Sequence, residues 1–197
     1  MLNFASYILQ EQMMHTITVR PTNEKTLYPN LQAVWQIAGG ACLIAILAQV
    51  SLRLPFSPIP LTGQTFAMLL VGALLGSKRG VLSVLTYIAM GCVGLPVFAM
   101  GSFGALSLLG PSGGYFCGFI LQAFLVGWTL ERRSSPSSLV TLTTLILACT
   151  LQLSLGCLWL GQFVGWQNVL WMGFYPFIPG EILKSVLVAA YLKSRHA

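Results

Sequence analysis

Apolar residues along this chain do not alternate with polar ones; they run in long blocks. Six blocks stand out, at about residues 31–52, 62–77, 80–96, 113–130, 138–160 and 179–193. A helix that crosses a membrane needs about 20 apolar residues, within a range of roughly 17–25. The second and sixth blocks are short by that measure, which predicts helices that are tilted, extended by their neighbours or partly buried in protein. The pattern as a whole predicts an all-α, six-transmembrane-helix bundle occupying residues 31–197, preceded by a polar tail over residues 1–30. That tail carries Glu11, Arg20, Glu24 and Lys25 and lacks the apolar core and cleavage site of an export signal, so it reads as a segment that stays in the cytoplasm.

Two connections interrupt the blocks in an informative way. Leu54-Pro55-Phe56-Ser57-Pro58-Ile59-Pro60 has prolines at positions that no helix tolerates, which predicts an extended and fairly stiff loop after the first helix. The run from Val97 to Gly114 is apolar yet rich in glycine and small residues. Non-helical backbone of such low polarity survives near a membrane only where protein buries it or where it lines a cavity. Either a ligand pocket or an interfacial connector without a ligand fits that description.

Composition strengthens the membrane reading. Charged residues make up 7% of the chain and apolar ones 56%, against roughly 25% charged in soluble domains. The net charge of +6 comes with no basic cluster longer than two residues, so nucleic acid is not indicated as a partner. The positions of the charges predict orientation instead. With the N-terminus in the cytoplasm, Arg20, Lys25, Lys78, Arg79, Arg132, Arg133, Lys193 and Arg195 fall inside, eight of the ten Lys and Arg residues. The outer loops then hold only Arg53, and Lys184 lies within the last helix. This asymmetry predicts both termini in the cytoplasm. Cys42, Cys92, Cys117, Cys149 and Cys157 sit singly in apolar surroundings, and His15 and His196 lie in the tails, so neither metal nor cofactor is expected. There is no Walker A sequence, HExxH or GxSxG, and only Glu181 among four carboxylates falls in a predicted membrane helix. Catalysis by a carboxylate pair is therefore not expected.

The remaining polar groups are few enough to weigh singly. Pro179-Gly180-Glu181-Ile182-Leu183-Lys184 opens the last helix, with Pro179 suited to the first turn and Glu181 favoured there by the helix dipole. Lys184 follows on the same face, close enough to pair. Charged residues within a membrane helix usually face a bundle interior or a cavity; the alternative is an interfacial Glu with a snorkelling Lys. Thr62-Gly63-Gln64-Thr65 follows the proline loop, where Thr62 can cap the second helix or, with Gln64, contact a polar ligand. Gly110-Pro111-Ser112-Gly113-Gly114-Tyr115 permits close backbone approach and sets an amphipathic ring at a helix start. The first helix repeats small or apolar residues at Ala33, Ile37, Ala41 and Ala45, a stripe for internal packing or for a partner subunit.

These residues resemble the BioY family, the substrate-binding subunits of energy-coupling-factor (ECF) biotin transporters. The resemblance runs from Pro55 to about Arg133 and from about Leu158 to Ala190, through the proline loop to Thr65, Val71–Gly76, Gly94–Phe98, Leu109–Tyr115 and Pro176–Lys184. It implies a multi-pass subunit of a prokaryotic cell membrane that takes biotin from outside, under a lid formed by Pro55–Thr62. It also implies partners: a transmembrane coupling protein and two cytoplasmic ATPases. On this resemblance the ureido ring of biotin is expected at Glu181 and Lys184, with Gln64 and Thr62 nearby and Phe98, Tyr115 and Trp159 as walls. Family members often have Asp where this chain has Glu181, and some carry an Arg where it reads Gly101-Ser102-Phe103-Gly104; Ser102 is counted among the binding residues, and the missing Arg is expected to be compensated elsewhere, by Arg53. The competing expectation is a membrane scaffold or assembly protein with no small-molecule ligand.

Overall fold

The structure, a computed structural model, describes residues 31–133 and 137–195. The tail 1–30, with Arg20 and Lys25, lies outside the described residues, and so does His196. Helix α1 spans Leu31–Gln49 and is followed by two-residue strands β1 (Ser51–Leu52) and β2 (Leu61–Thr62). Then come α2 (Gln64–Cys92), a 3-10 turn at Ala99–Gly101, and the single turn α3 (Leu106–Leu109). Helices α4 (Gly113–Glu131) and α5 (Ser138–Val164) follow, then the short α6 (Val169–Gly173), a 3-10 turn at Tyr175–Phe177, and α7 (Ile178–Ser194). Among the described residues α1, α2, α4 and α5 are long and apolar enough to cross a membrane. The protein is a helical, multi-pass membrane protein.

Helix α2 combines the second and third apolar blocks, and one glycine decides its form. Gly76 has φ 77° and ψ −179°, a region that essentially only glycine occupies. The chain reverses there. Gln64 hydrogen-bonds Tyr87 across 23 residues, a separation that would be about 34 Å along an unbroken helix. α2 is thus an antiparallel hairpin with arms at 64–75 and 77–92. The second arm begins under an acceptor lent by α4: Glu131 Oε2 accepts from the Ser77 backbone N–H (2.8 Å) and Oε1 from its hydroxyl (2.7 Å). A carboxylate on free N–H groups at a helix start is the favourable end of the dipole. Close approach of the two elements needs a second glycine, because a Cβ on Gly127 would stand 2.3 Å from the Ser77 nitrogen.

The first arm, α4, α5 and α7 pack around two apolar clusters. One holds Met68, Phe116, Phe119, Leu153 and Phe177, and the other Leu69, Val126, Leu145 and Val188. In lipid such association comes from close van der Waals contact rather than from expulsion of water. Helix α1 joins through Gly40, which lies against Ser83. Its small-residue stripe is partly used internally: Ala41 is buried, while Ala33, Ile37 and Ala45 stay half-buried.

Two expectations change in detail. An all-α chain proves to contain a minimal antiparallel ladder, Ser51↔Thr62 and Leu52↔Leu61, which draws together the ends of the proline loop. The glycine-rich run is not open backbone. Gln49 donates to the carbonyls of Val97 and Phe98 (3.2 Å each) and accepts from the Gly101 N–H (3.2 Å), while the Gly104 N–H reaches the Gly91 carbonyl (2.8 Å). One glutamine at the end of α1 therefore satisfies the polar groups that a low-polarity loop would otherwise leave unpaired.

Candidate substrate-binding cavity

A first arm of 12 residues is about 18 Å long, well short of a hydrocarbon core of about 30 Å. The missing turns are replaced by a cavity of about 370 Å³ at the starts of α2, α4 and α7 and the middle of α5. Pro58, Ile59 and Pro60 of the loop cover it, and Ser102, Gly110 and Ser112 of the glycine-rich run line one side. Ile59 and Ser57 are buried, and the Ser57 hydroxyl donates to the Met172 carbonyl at 2.6 Å, fastening the loop to α6.

The charged floor forms by helical spacing. Pro179 lies in the first turn of α7, where its missing N–H costs nothing. Glu181 and Lys184 follow on one face and pair at 2.8 Å, Glu181 being 5% exposed. Lys184 Nζ also donates to Thr65 Oγ1 (2.7 Å) and the Thr62 carbonyl (2.8 Å). Thr65 in turn donates its hydroxyl proton to Glu181 Oε1 (2.7 Å). All three ammonium protons thus have acceptors within the protein, so Lys184 has none spare. Glu181 Oε2, by contrast, is buried without a partner. This alters the expected division of labour: the free group of the pair is the carboxylate, and the lysine holds it in place.

Of the other residues singled out in the sequence, Gln64, Thr62, Tyr115, Phe98 and Ser102 line the same cavity. Thr62 does not cap α2 from the usual position, since Gly63 precedes the helix. Its Oγ1 instead accepts from the Gln64 backbone N–H (3.3 Å) and donates to Gln64 Oε1 (3.1 Å), fixing that amide with its NH₂ toward Tyr87. Tyr115 offers its ring, because its hydroxyl donates to the Gly173 carbonyl (2.8 Å). Phe98 packs tilted on Phe116, ring centroids 4.9 Å apart. Trp159 does not line the cavity. Its indole N–H donates to the Gly110 carbonyl (2.9 Å) and its ring lies against Gly113 and Gly114, so it supports the glycine-rich turn from behind.

Sequence reasoning passed over Gln152. It is 1% exposed, it lines the cavity, and its Oε1 is buried with no partner. A glutamine in the middle of an apolar block was a visible signal, but only the fold shows that it lines the same cavity as Glu181 while its Cγ packs against Gly118 of α4. Arg53, exposed on the loop, also lines the space. Phe119, Leu153 and Phe177 complete an apolar wall. The space therefore offers buried acceptors, aromatic sides and one cation at its rim, and among the described residues no cluster suited to a metal ion.

Comparison with known proteins places this arrangement. The family model described as BioY matches residues 16–197. A biotin transporter of Lactococcus lactis subsp. cremoris is 34% identical, over 82% of this chain and 88% of its own. A probable biotin transporter of Pyrococcus horikoshii is 36% identical, over 77% and 90% respectively. The crystal structure of the S-component for biotin from an ECF-type ABC transporter superposes with a TM-score of 0.73 at 29% identity, over 86% of this chain and 94% of that one. With a matching family model along nearly its whole length, relatives that align across most of their own chains and the same fold, this chain belongs to the BioY family.

Proposed function

We propose that this protein is the membrane-embedded substrate-binding subunit of an ECF-type transporter and that it captures biotin in the cavity at the head of α7. It is a transport subunit, not an enzyme. The observation that carries the reading is a pair of residues, Glu181 and Gln152, that line one cavity and each hold a buried oxygen without a hydrogen-bond partner. An orphaned buried polar group costs about 1–3 kcal/mol, so a ligand that supplies two donors relieves both. The ureido ring of biotin has two N–H groups. Its carbonyl then falls to the second amide proton of Gln64, its apolar rings and chain to Phe98, Phe116 and Tyr115, and its carboxylate to Arg53 at the rim.

On this reading the segment from Pro55 to Thr62 is a lid, latched by Ser57 and drawn together at its base by the β1–β2 ladder. The two arms of α2 count as separate spans, giving six with α1, α4, α5 and α7, and the basic ends at Lys78, Arg79, Arg132, Arg133, Lys193 and Arg195 face the cytoplasm of a prokaryotic cell. A transmembrane coupling protein and two ATPases power release there. A scaffold without a ligand would have no use for a cavity lined by aromatic rings and by two residues with orphaned acceptors. Thermal unfolding of the detergent-purified protein tests the point. At a biotin concentration 100-fold above the dissociation constant, stabilisation of about 2.7 kcal/mol is expected; no shift at any concentration would return the chain to the scaffold reading.

A further inference from the structure

A second cavity, of about 590 Å³, opens at the opposite ends of the same helices. Its lining comes from the end of the first α2 arm (Leu74, Leu75), the end of α4 (Leu130, Glu131), the start of α5 (Thr141) and the end of α7 (Leu192). The tightly packed Leu69, Val126, Leu145 and Val188 separate this space from the biotin cavity. It cannot be a lower extension of that site without rearrangement of residues that are all fully buried.

The chemistry of the second cavity is amphiphilic. Half of its lining is leucine and alanine, and its rim carries Arg133 and Lys193. Glu131 brings one negative charge to the same lining, but its two oxygens are turned to Ser77 at the hairpin turn and it forms no ion pair with either cation. Neither the Arg133 guanidinium nor the Lys193 ammonium makes a hydrogen bond or ion pair among the described residues. Neighbouring cations at this end are differently placed: Arg79 donates to Gln36 (2.7 Å), and Arg132 stacks over Trp128 at 4.2 Å. Two unpaired cations against one carboxylate leave the rim net positive above an apolar recess, at the basic end of membrane-spanning helices, which suits a ligand with a negative head and hydrocarbon behind it. Basic recesses between membrane helices at such a face suit lipid head groups. A soluble anion would gain nothing from the leucine walls.

We propose that this cavity binds one anionic phospholipid, its phosphate between Arg133 and Lys193 and its first methylenes against Leu74, Leu130 and Leu192. The site stands apart from the biotin reading and depends only on the chain's place in a membrane. Occupancy would tie the ends of α4 and α7 to the start of α5, and so brace the side of the bundle opposite the ligand.

The test is native mass spectrometry of detergent-purified full-length protein titrated with phosphatidylglycerol or phosphatidylcholine of identical acyl chains. One tightly retained phosphatidylglycerol is expected, with phosphatidylcholine much weaker. Arg133→Gln and Lys193→Gln should each weaken retention about fivefold and together about 30-fold, from roughly 1 kcal/mol per basic side chain near the phosphate. Lys78→Gln, the same charge change at the same end but outside the cavity, should leave it unchanged. Equal retention of both lipids would overturn the proposal, and so would an equal loss in Lys78→Gln, which would mean diffuse attraction. Displacement of the lipid by inorganic phosphate would assign the cations to a soluble anion instead. Absence of any lipid adduct, with Arg133 and Lys193 shielded only after a coupling protein is added, would assign the recess to a protein partner.

Discussion

Replacing Lys184 by methionine separates what the ion pair does for the fold from what it does for the ligand. The ammonium makes three contacts of 2.7–2.8 Å, to Thr62, Thr65 and Glu181. Methionine keeps much of the volume and loses all three. Glu181, 5% exposed, then retains only the Thr65 hydroxyl at Oε1 and nothing at Oε2. Removing one partner of a buried pair costs about 3–5 kcal/mol; the lysine is part-exposed (15%), so solvent softens the loss and we expect the low end, about 3 kcal/mol or somewhat less. Biotin affinity should fall through Glu181. A hydrogen bond to a charged group contributes about 1.5–3 kcal/mol, and its loss or misalignment raises the dissociation constant roughly 10- to 150-fold. The double variant Glu181→Gln/Lys184→Met should be more stable than Lys184→Met alone, since the unpaired charge is gone, yet bind biotin no better. Chemical or thermal unfolding in detergent, with calorimetric titration of biotin, measures both quantities for the four members of the cycle. Unchanged biotin affinity in Lys184→Met would refute the reasoning, whatever happened to stability.

Three further substitutions probe other parts of the account. Gln152→Leu removes an orphaned buried acceptor, so the ligand-free protein should be as stable as before or slightly more so, while biotin binding weakens about tenfold; calorimetry showing full affinity would take Gln152 out of the site. Ser57→Ala deletes the 2.6 Å bond from the loop to the Met172 carbonyl, so biotin should dissociate a few-fold faster, in line with about 0.5–1.5 kcal/mol for such a bond, as read by radiolabelled biotin release. Gly76→Ala places a Cβ 2.5 Å from Glu131 Oε2 at a φ of 77°, and should cost at least about 1–3 kcal/mol in thermal unfolding. A wild-type melting temperature in that variant would mean that the hairpin turn is not where the strain lies.

Much of the bundle was legible because lipid imposes a simple rule on sequence: spanning segments must be apolar and their ends carry the charge. The blocks at 31–52, 113–130, 138–160 and 179–193 became α1, α4, α5 and α7 with ends displaced by a few residues. The boundary at residues 77–80 was legible as Lys78-Arg79, but its geometry was not. Nothing in the local pattern says that Gly76 reverses the chain within a single residue, or that Glu131 caps the second arm of the hairpin. The β1–β2 ladder was invisible for a related reason: two residues a side have no periodicity to read.

The site divides in the same way. Glu181 and Lys184 stood out because charge in an apolar block is costly and their spacing forces them together. That Lys184 is held by acceptors of its own was not legible, since that depends on the Thr62 carbonyl in β2 and the Thr65 hydroxyl in α2. Trp159 looked like a wall because aromatic residues suit apolar ligands, but its indole was needed to hold the Gly110 carbonyl. Gln152 was hidden by the reverse effect: its polarity was plain, and only packing decides whether a residue on an apolar helix points to lipid or inward.

A crystal structure of the protein with biotin bound tests the central claim most directly. The account predicts the bicyclic ring at the base of the cavity, its two ureido nitrogens about 3 Å from Glu181 Oε2 and Gln152 Oε1, with Lys184 still bonded to Thr62 and Thr65. Biotin seated with its carboxylate on Lys184, or outside this cavity altogether, would contradict it.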